Sequence, residues 1–155
     1  MGQSVYELTQ LESLRVLGAL VRSRLGIWFG LLDPGGRVLP LGAGGTDDGP
    51  RPCRALDVRG DAHGSCTGSV RLWSERARQE GGSCPQDGAC HAGLDALLWP
   101  LVVDGKVVGT LYASGFWAEK ARSHRLERRL KALGLPKAEA LGDVPILTAS
   151  DRAWV

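Results

Sequence analysis

No stretch of this chain is long and apolar enough to cross a membrane, and its N-terminus lacks the apolar segment of an export signal. Neither charge is in strong excess. Nineteen Lys and Arg against seventeen Asp and Glu leave a net charge of +2, which gives no electrostatic case for a dedicated nucleic-acid binder. Internal repeats and low-complexity tracts are missing. Aromatics make up 6% of the 155 residues, and the four cysteines form no Cys-x-x-Cys knuckle, which excludes standard zinc-finger spacing. What remains is an ordinary globular composition, 43% hydrophobic and 23% charged, at a length that suits one domain. The expected location is the cytoplasm, where cysteines are more often free, metal-bound or redox-active than disulfide-bonded.

The most informative stretch runs from Cys90 to Phe116. Asp104-Gly105 lies between the apolar runs Leu101-Val102-Val103 and Val107-Val108, the pattern of a β-hairpin closed by a type I′ turn. Pro100 cannot donate to a ladder, so its part of the first strand belongs on an edge or at a bulge. Upstream, Val5, Leu8, Leu11, Leu14, Leu17, Leu20 and Val21 recur at helical spacing. They predict one helix from Val5 to Arg22, with Ser4 and Glu7 as a capping box. Its broad leucine stripe suits core or a dimer seam. Ile27 to Leu32 and Arg37 to Leu41 read as strands joined by the Asp33-Pro34-Gly35-Gly36 turn.

Gly42 to Pro52 reads as a loop, Cys53 to Arg59 as a short helix, and Cys66 or Thr67 to Glu80 as a longer helix with Val70, Trp73 and Ala77 on one face. Ser83 to Ala89 reads as a second loop. After Trp117, Leu126, Leu130 and Leu133 form a helical stripe among Arg122, Arg125, Arg128, Arg129 and Lys131, closed by Gly134 and Pro136. That basic surface reads as a solvated face, with a partner domain as the alternative. A further helix starts after Thr148 or Ser150. Two hairpins among helices define an α+β fold, an antiparallel sheet flanked by helices. Residues 1–155 form a single domain, with about 5–135 as its core and 136–155 as a connector toward a further domain.

Chemistry concentrates around the cysteines. Cys53, Cys66, Cys84 and Cys90 lie in or beside loops, with His63 and His91 close to two of them. Cys53, Cys66, Cys84, Cys90 and His91 are candidate metal ligands, because thiolates suit Zn²⁺ or an iron–sulfur cluster. Redox-active thiols and plain packing are the alternatives. Cys90 and His91 are adjacent, and on a strand adjacent side chains point to opposite faces, which argues against a nucleophile–base pair. Asp47-Asp48 sits in a glycine-rich loop and reads as solvated. Gly42, Gly44 and Gly45 lack the Lys-Ser/Thr of a phosphate loop. A pocket between sheet and helices is the default binding site for such a fold, and Trp28, Cys90, His91, Trp99, Tyr112 and Phe116 are its candidate ligand-binding residues.

The series Cys53, Cys66, Cys90-His91-Ala92-Gly93-Leu94, Pro100-Leu101-Val102-Val103-Asp104-Gly105, Gly109 and Gly115 resembles the PocR-type sensory domain, a variant of the PAS fold. The resemblance extends through Leu133-Gly134-Leu135 and Val144-Pro145-Ile146-Leu147, and so covers nearly the whole chain from about Leu8. It implies a non-enzymatic bacterial input module that binds a small organic molecule, such as a simple hydrocarbon derivative or a diol. It also implies a regulated output: a helix-turn-helix, a histidine kinase or a sigma-54-type ATPase. Cys53, Cys66, Cys90 and His91 occupy the family's cysteine and histidine positions, and Cys84 lies outside the pattern. The reading that follows is a PAS-like sensor, homodimeric through the N-terminal helix, without direct nucleic-acid or membrane contact. A Cys-ligated Zn or iron–sulfur sensor, or a thiol redox sensor, is the alternative.

Overall fold

The computed structural model describes residues 5–39, 41, 62–80, 85–118, 123–132, 134 and 144–154. Its helices are α1 (Val5–Leu8), α2 (Glu12–Leu25), α3 (Ala62–Glu80), α4 (Ser123–Ala132) and α5 (Ala149–Trp154). Its strands are β1 (Trp28–Leu32), β2 (Val38–Leu39), β3 (Gln86–Ala89), β4 (Asp95–Val103) and β5 (Lys106–Phe116). The strands form one antiparallel sheet in the order β2-β1-β5-β4-β3. This is the mixed α+β, PAS-like architecture expected from the sequence.

The hairpin turns where the sequence places it. Asp104 and Gly105 have φ of 50° and 73°, the left-handed pair a type I′ turn requires. Pro100 pairs with Thr110 on its β5 side, and among the described residues β3 pairs with β4 only as far as Leu98, so the proline has no described ladder partner on its other side. Two register shifts mark β4 against β5, at Leu101/Val102 and at Asp95/Ala96. Gly115, with φ of 90°, is the extra residue at the second.

Three departures from the sequence reading have local causes. The N-terminal helix is broken: Thr9 Oγ1 donates to Tyr6 O at 2.7 Å, and backbone N–H groups of Thr9, Gln10 and Leu11 bond three residues back. Such side-chain competition ends α1 before α2 begins. Strand β3 falls in the stretch expected to be a loop, because Gln86-Asp87-Gly88-Ala89 has no β-former, and its pairing with β4 overrides that. Helix α3 starts at Ala62, ahead of the expected Cys66. The expected Ser4 cap, the Gly42–Pro52 loop, the Cys53–Arg59 helix and the Leu133 position lie outside the described residues.

Helices cover both faces of the sheet. On one face Val5 and Val21 of α1 and α2 pack with Phe29, Leu31, Leu97 and Ala113. On the other, Trp73 of α3 packs with Leu32, Ala96, Leu98 and Tyr112. A third cluster sits beyond the end of β5, where Leu126 and Leu130 of α4, Trp117, Leu94 and Val144 are buried. Each fully buried leucine there contributes about 1.5–3 kcal/mol. Residues 144–147 join this end directly: Trp117 N–H donates to Pro145 O and Leu147 N–H to Trp117 O, both at 3.0 Å, a parallel bridge of Trp117 with Ile146.

Thr148 caps α5. Asp151 N–H donates to Thr148 Oγ1 at 3.2 Å, while the Thr148 hydroxyl and N–H donate to Asp151 Oδ2 at 2.7 and 2.9 Å. The Thr148 hydroxyl, then its backbone N–H, then the more distant Arg24 hold the Asp151 carboxyl below the ordinary aspartate value. A carboxyl lowered by folding favours the folded cap when ionised. The contribution is therefore complete above the unfolded aspartate range and is lost as pH falls through the lowered one. Amide exchange across Asp151 and Arg152 should accelerate in that acidic window, and Asp151→Asn should remove the pH dependence.

Candidate functional site

Pairing register decides which side chains share a face. Trp28 opposes Ser114, Gly30 opposes Tyr112 and Leu32 opposes Thr110; across β4, Ala96 opposes Ser114, Leu98 opposes Tyr112 and Pro100 opposes Thr110. Strand β3 adds Gln86 opposite Leu98 and Gly88 opposite Ala96. These residues form the face beneath α3, and no charged side chain is among them. Helix α3 turns Ser69, Trp73, Ser74 and Ala77 inward, all buried.

The helix is tied down mainly through backbone groups of the sheet and its turns. Trp73 Nε1 donates to Ala89 O at 3.2 Å, Arg76 Nη1 to Asp87 O at 2.7 Å and Ser74 Oγ to Asp33 O at 3.1 Å. Ser69 Oγ accepts the His91 N–H at 3.0 Å. Inside, the Trp73 and Tyr112 rings lie 5.9 Å apart at 43°, and Trp28, Val70 and Cys90 border them. Gly30 leaves the space that the Tyr112 ring fills: a Cβ there would stand 2.7 Å from Tyr112 Cε1 and 2.8 Å from its hydroxyl.

Of the candidate ligand-binding residues, the structure brings Trp28, Cys90 and Tyr112 together beneath α3. His91 is at the rim, half-buried in the tight turn that Cys90 N–H to Leu94 O (2.8 Å) and Gly93 N–H to Cys90 O (2.9 Å) close. Trp99 and Phe116 lie on the opposite face, in the cluster beneath α1 and α2. Alternation alone would put Phe116 beside Tyr112 and Ser114; the extra residue at Gly115 switches its face. Trp73 was legible only as part of a packing stripe with Val70 and Ala77.

Two polar residues on the α3 face carry no sequence signal. Gln86 is 8% exposed and Thr110 fully buried, and among the described residues the Gln86 amide atoms and Thr110 Oγ1 have no hydrogen-bond partner. Buried polar groups left in this condition are rare and costly.

The metal reading does not hold. Among the described residues no three His, Cys, Asp or Glu side chains are grouped to hold a metal ion. Cys66 is exposed on α3, and Cys90 is half-buried and packs between two apolar clusters. Cys66, Cys90 and His91 thus do not assemble into a Zn or iron–sulfur site; Cys53 and Cys84 lie outside the described residues.

A PAS-like sheet with an uncharged, helix-covered face of aromatics and scattered polar groups is the layout of a binding module. The family comparison agrees: the model described as the sensory domain found in PocR matches residues 21–152, and the chain belongs to that family of PAS-variant sensory domains. No curated protein and no solved structure matches the chain. Domains of this family are non-catalytic input modules, so the chain is a sensing and regulatory domain and not an enzyme. No helix among the described residues is long and apolar enough to cross a membrane.

Gly30→Ala tests the packing of this face. The new methyl group must displace the Tyr112 ring, so stability should fall by about 1–3 kcal/mol in denaturant titration. Tryptophan emission should change as Trp73 loses its ring neighbour.

Proposed function

We propose that the face beneath α3 binds a small organic molecule and that occupancy regulates an attached or partner output of the transcription or signalling kind. The observation that carries this reading is the uncharged aromatic face of Trp28, Trp73 and Tyr112, covered by one helix held largely through main-chain carbonyls. A shift of this helix would repack Trp73 against Tyr112, which links occupancy of the face to the position of α3. The family resemblance points to simple hydrocarbon derivatives, diols among them. Cys90 borders the aromatic cluster and His91 stands at the rim. A ligand regulates only through different affinities for two states, and the C-terminal segment bridged to Trp117 is the route by which β5 would report its state.

The test is thermal denaturation with short-chain alcohols, diols and ketones, read together with tryptophan fluorescence. A binder should raise the melting temperature with concentration and alter emission. Tyr112→Leu should abolish both responses. Absence of any response across the series in the wild-type chain would sink the reading.

A homodimer through the N-terminal helix belongs to the same proposal. Val16, Leu17 and Leu20 of α2 are 58%, 37% and 47% exposed, an apolar stripe beside the one that packs on the sheet. Glu12 lies in the first turn of α2, and Arg22 and Arg24 lie in the last. An antiparallel pair of α2 helices would set each acidic end against the partner's basic end, which favours a second copy of this chain as the occupant. Leu17→Glu with Leu20→Glu should convert a dimer to a monomer in sedimentation without lowering helix content. A wild-type chain that sediments as a monomer at high concentration would refute the dimer.

A further inference from the structure

Gln86 and Thr110 lie on one face but not on neighbouring strands. Gln86 opposes Leu98, Pro100 lies two residues further along the same face of β4, and Pro100 opposes Thr110. Two strand spacings and one two-residue step put the Cα atoms about 12 Å apart. Leu98 and Pro100 floor the interval. Above it, the buried side of α3 narrows from Trp73 to Ser74 and Ala77. The Arg76 bond to Asp87 O sets this turn of the helix beside the start of β3. The nearby Ser74 hydroxyl is already committed to Asp33 O and Pro34 O at 3.1 and 3.4 Å. Among the described residues of this interval, the polar groups left without a hydrogen-bond partner are the Gln86 amide, with two N–H donors and a carbonyl acceptor, and the Thr110 hydroxyl, which can donate and accept.

We propose that Gln86 and Thr110 are the polar recognition pair of the face beneath α3, and that the ligand taken there is uncharged and carries groups that both donate and accept hydrogen bonds, as a hydroxyl or primary amide does. The inference rests on the sensing reading above and assigns the residues that confer its specificity. Two physical arguments support it. Leaving the amide and hydroxyl buried without partners is a stability cost that natural cores avoid unless the groups serve something else. No charged side chain stands among the described sheet residues of this face, and burying a carboxylate or amine there without a counter-charge would be far more costly than burying a hydroxyl, which favours a neutral ligand.

The experiment compares the wild-type chain with Gln86→Leu, Thr110→Val, their combination, and Thr110→Ser. Each is melted alone, then with short-chain primary alcohols and primary amides, then with carboxylates and amines of matching chain length. The ligand-free double variant should melt at or above the wild-type temperature, because apolar groups of similar shape replace unsatisfied polar ones. Its apparent affinity for the neutral probes should fall by about tenfold or more, one lost hydrogen bond's worth, while Thr110→Ser retains the wild-type response. A several-degree loss of melting temperature in the ligand-free double variant would overturn the assignment, since it would show the two groups to be structural. An undiminished response in that variant would overturn the recognition pair and leave the sensing reading standing. Charged probes binding better than neutral ones would overturn the ligand class. No response of the wild-type chain to any probe would overturn the pair and the sensing reading together.

Discussion

Everything on the α3 face depends on the register of β4 against β5, and that register starts at the two-residue turn of Asp104 and Gly105. A tight type I′ turn leaves the strands no slack, so Val103 meets Lys106 and Val102 meets Val107. A slip of β5 by one residue would turn Tyr112 toward α2 and Ala113 toward α3 while Leu98 of β4 stayed beneath α3, so the two strands would no longer share a face. The register shifts at Leu101/Val102 and Asp95/Ala96 then adjust it by one residue each. They make the difference between a hairpin that alternates mechanically and one whose last turn delivers Phe116 to the α2 side.

That adjustment also explains what could be read in advance. The Asp-Gly turn, the Asp33–Gly36 turn, the Leu126 and Leu130 stripe and the α3 face around Trp73 each rest on local chemistry, and each stands where the residues imply. Asp33 is a clear case: its Oδ1 accepts from the N–H groups of Gly35 and Arg37 at 2.9 and 2.8 Å, the role that residue plays in turns generally. Strand β3 was illegible because its pairing is non-local and its four residues have no strand propensity. Gln86 was illegible for the same reason, since nothing local says that a glutamine before Asp-Gly will be buried. The metal reading fails for a different reason: thiolate chemistry names possible ligands but not their proximity, and Cys66 is exposed on a helix while Cys90 is packed in a turn.

Cys90 has a role that its chemistry did not suggest. It borders the Trp73–Tyr112 cluster on one side and the cluster of Trp117, Leu126, Leu130 and Val144 on the other. Its sulfur is a soft, compact filler between two small cores. The turn that carries it is held by Leu94 O and by Gly93, whose φ of 89° suits glycine. A rearrangement beneath α3 therefore has a short packed route to α4 and residues 144–147.

The parallel bridge at Trp117 sets how that route bears load. Its two hydrogen bonds flank one residue, with Trp117 donating to Pro145 and accepting from Leu147. Tension along residues 144–147 runs parallel to the strand and loads both bonds in shear. They must yield together, whereas bonds peeled from an end yield one at a time. The C-terminal segment is thus tied to the end of β5 by two bonds that share a load, where a single bond would bear it alone.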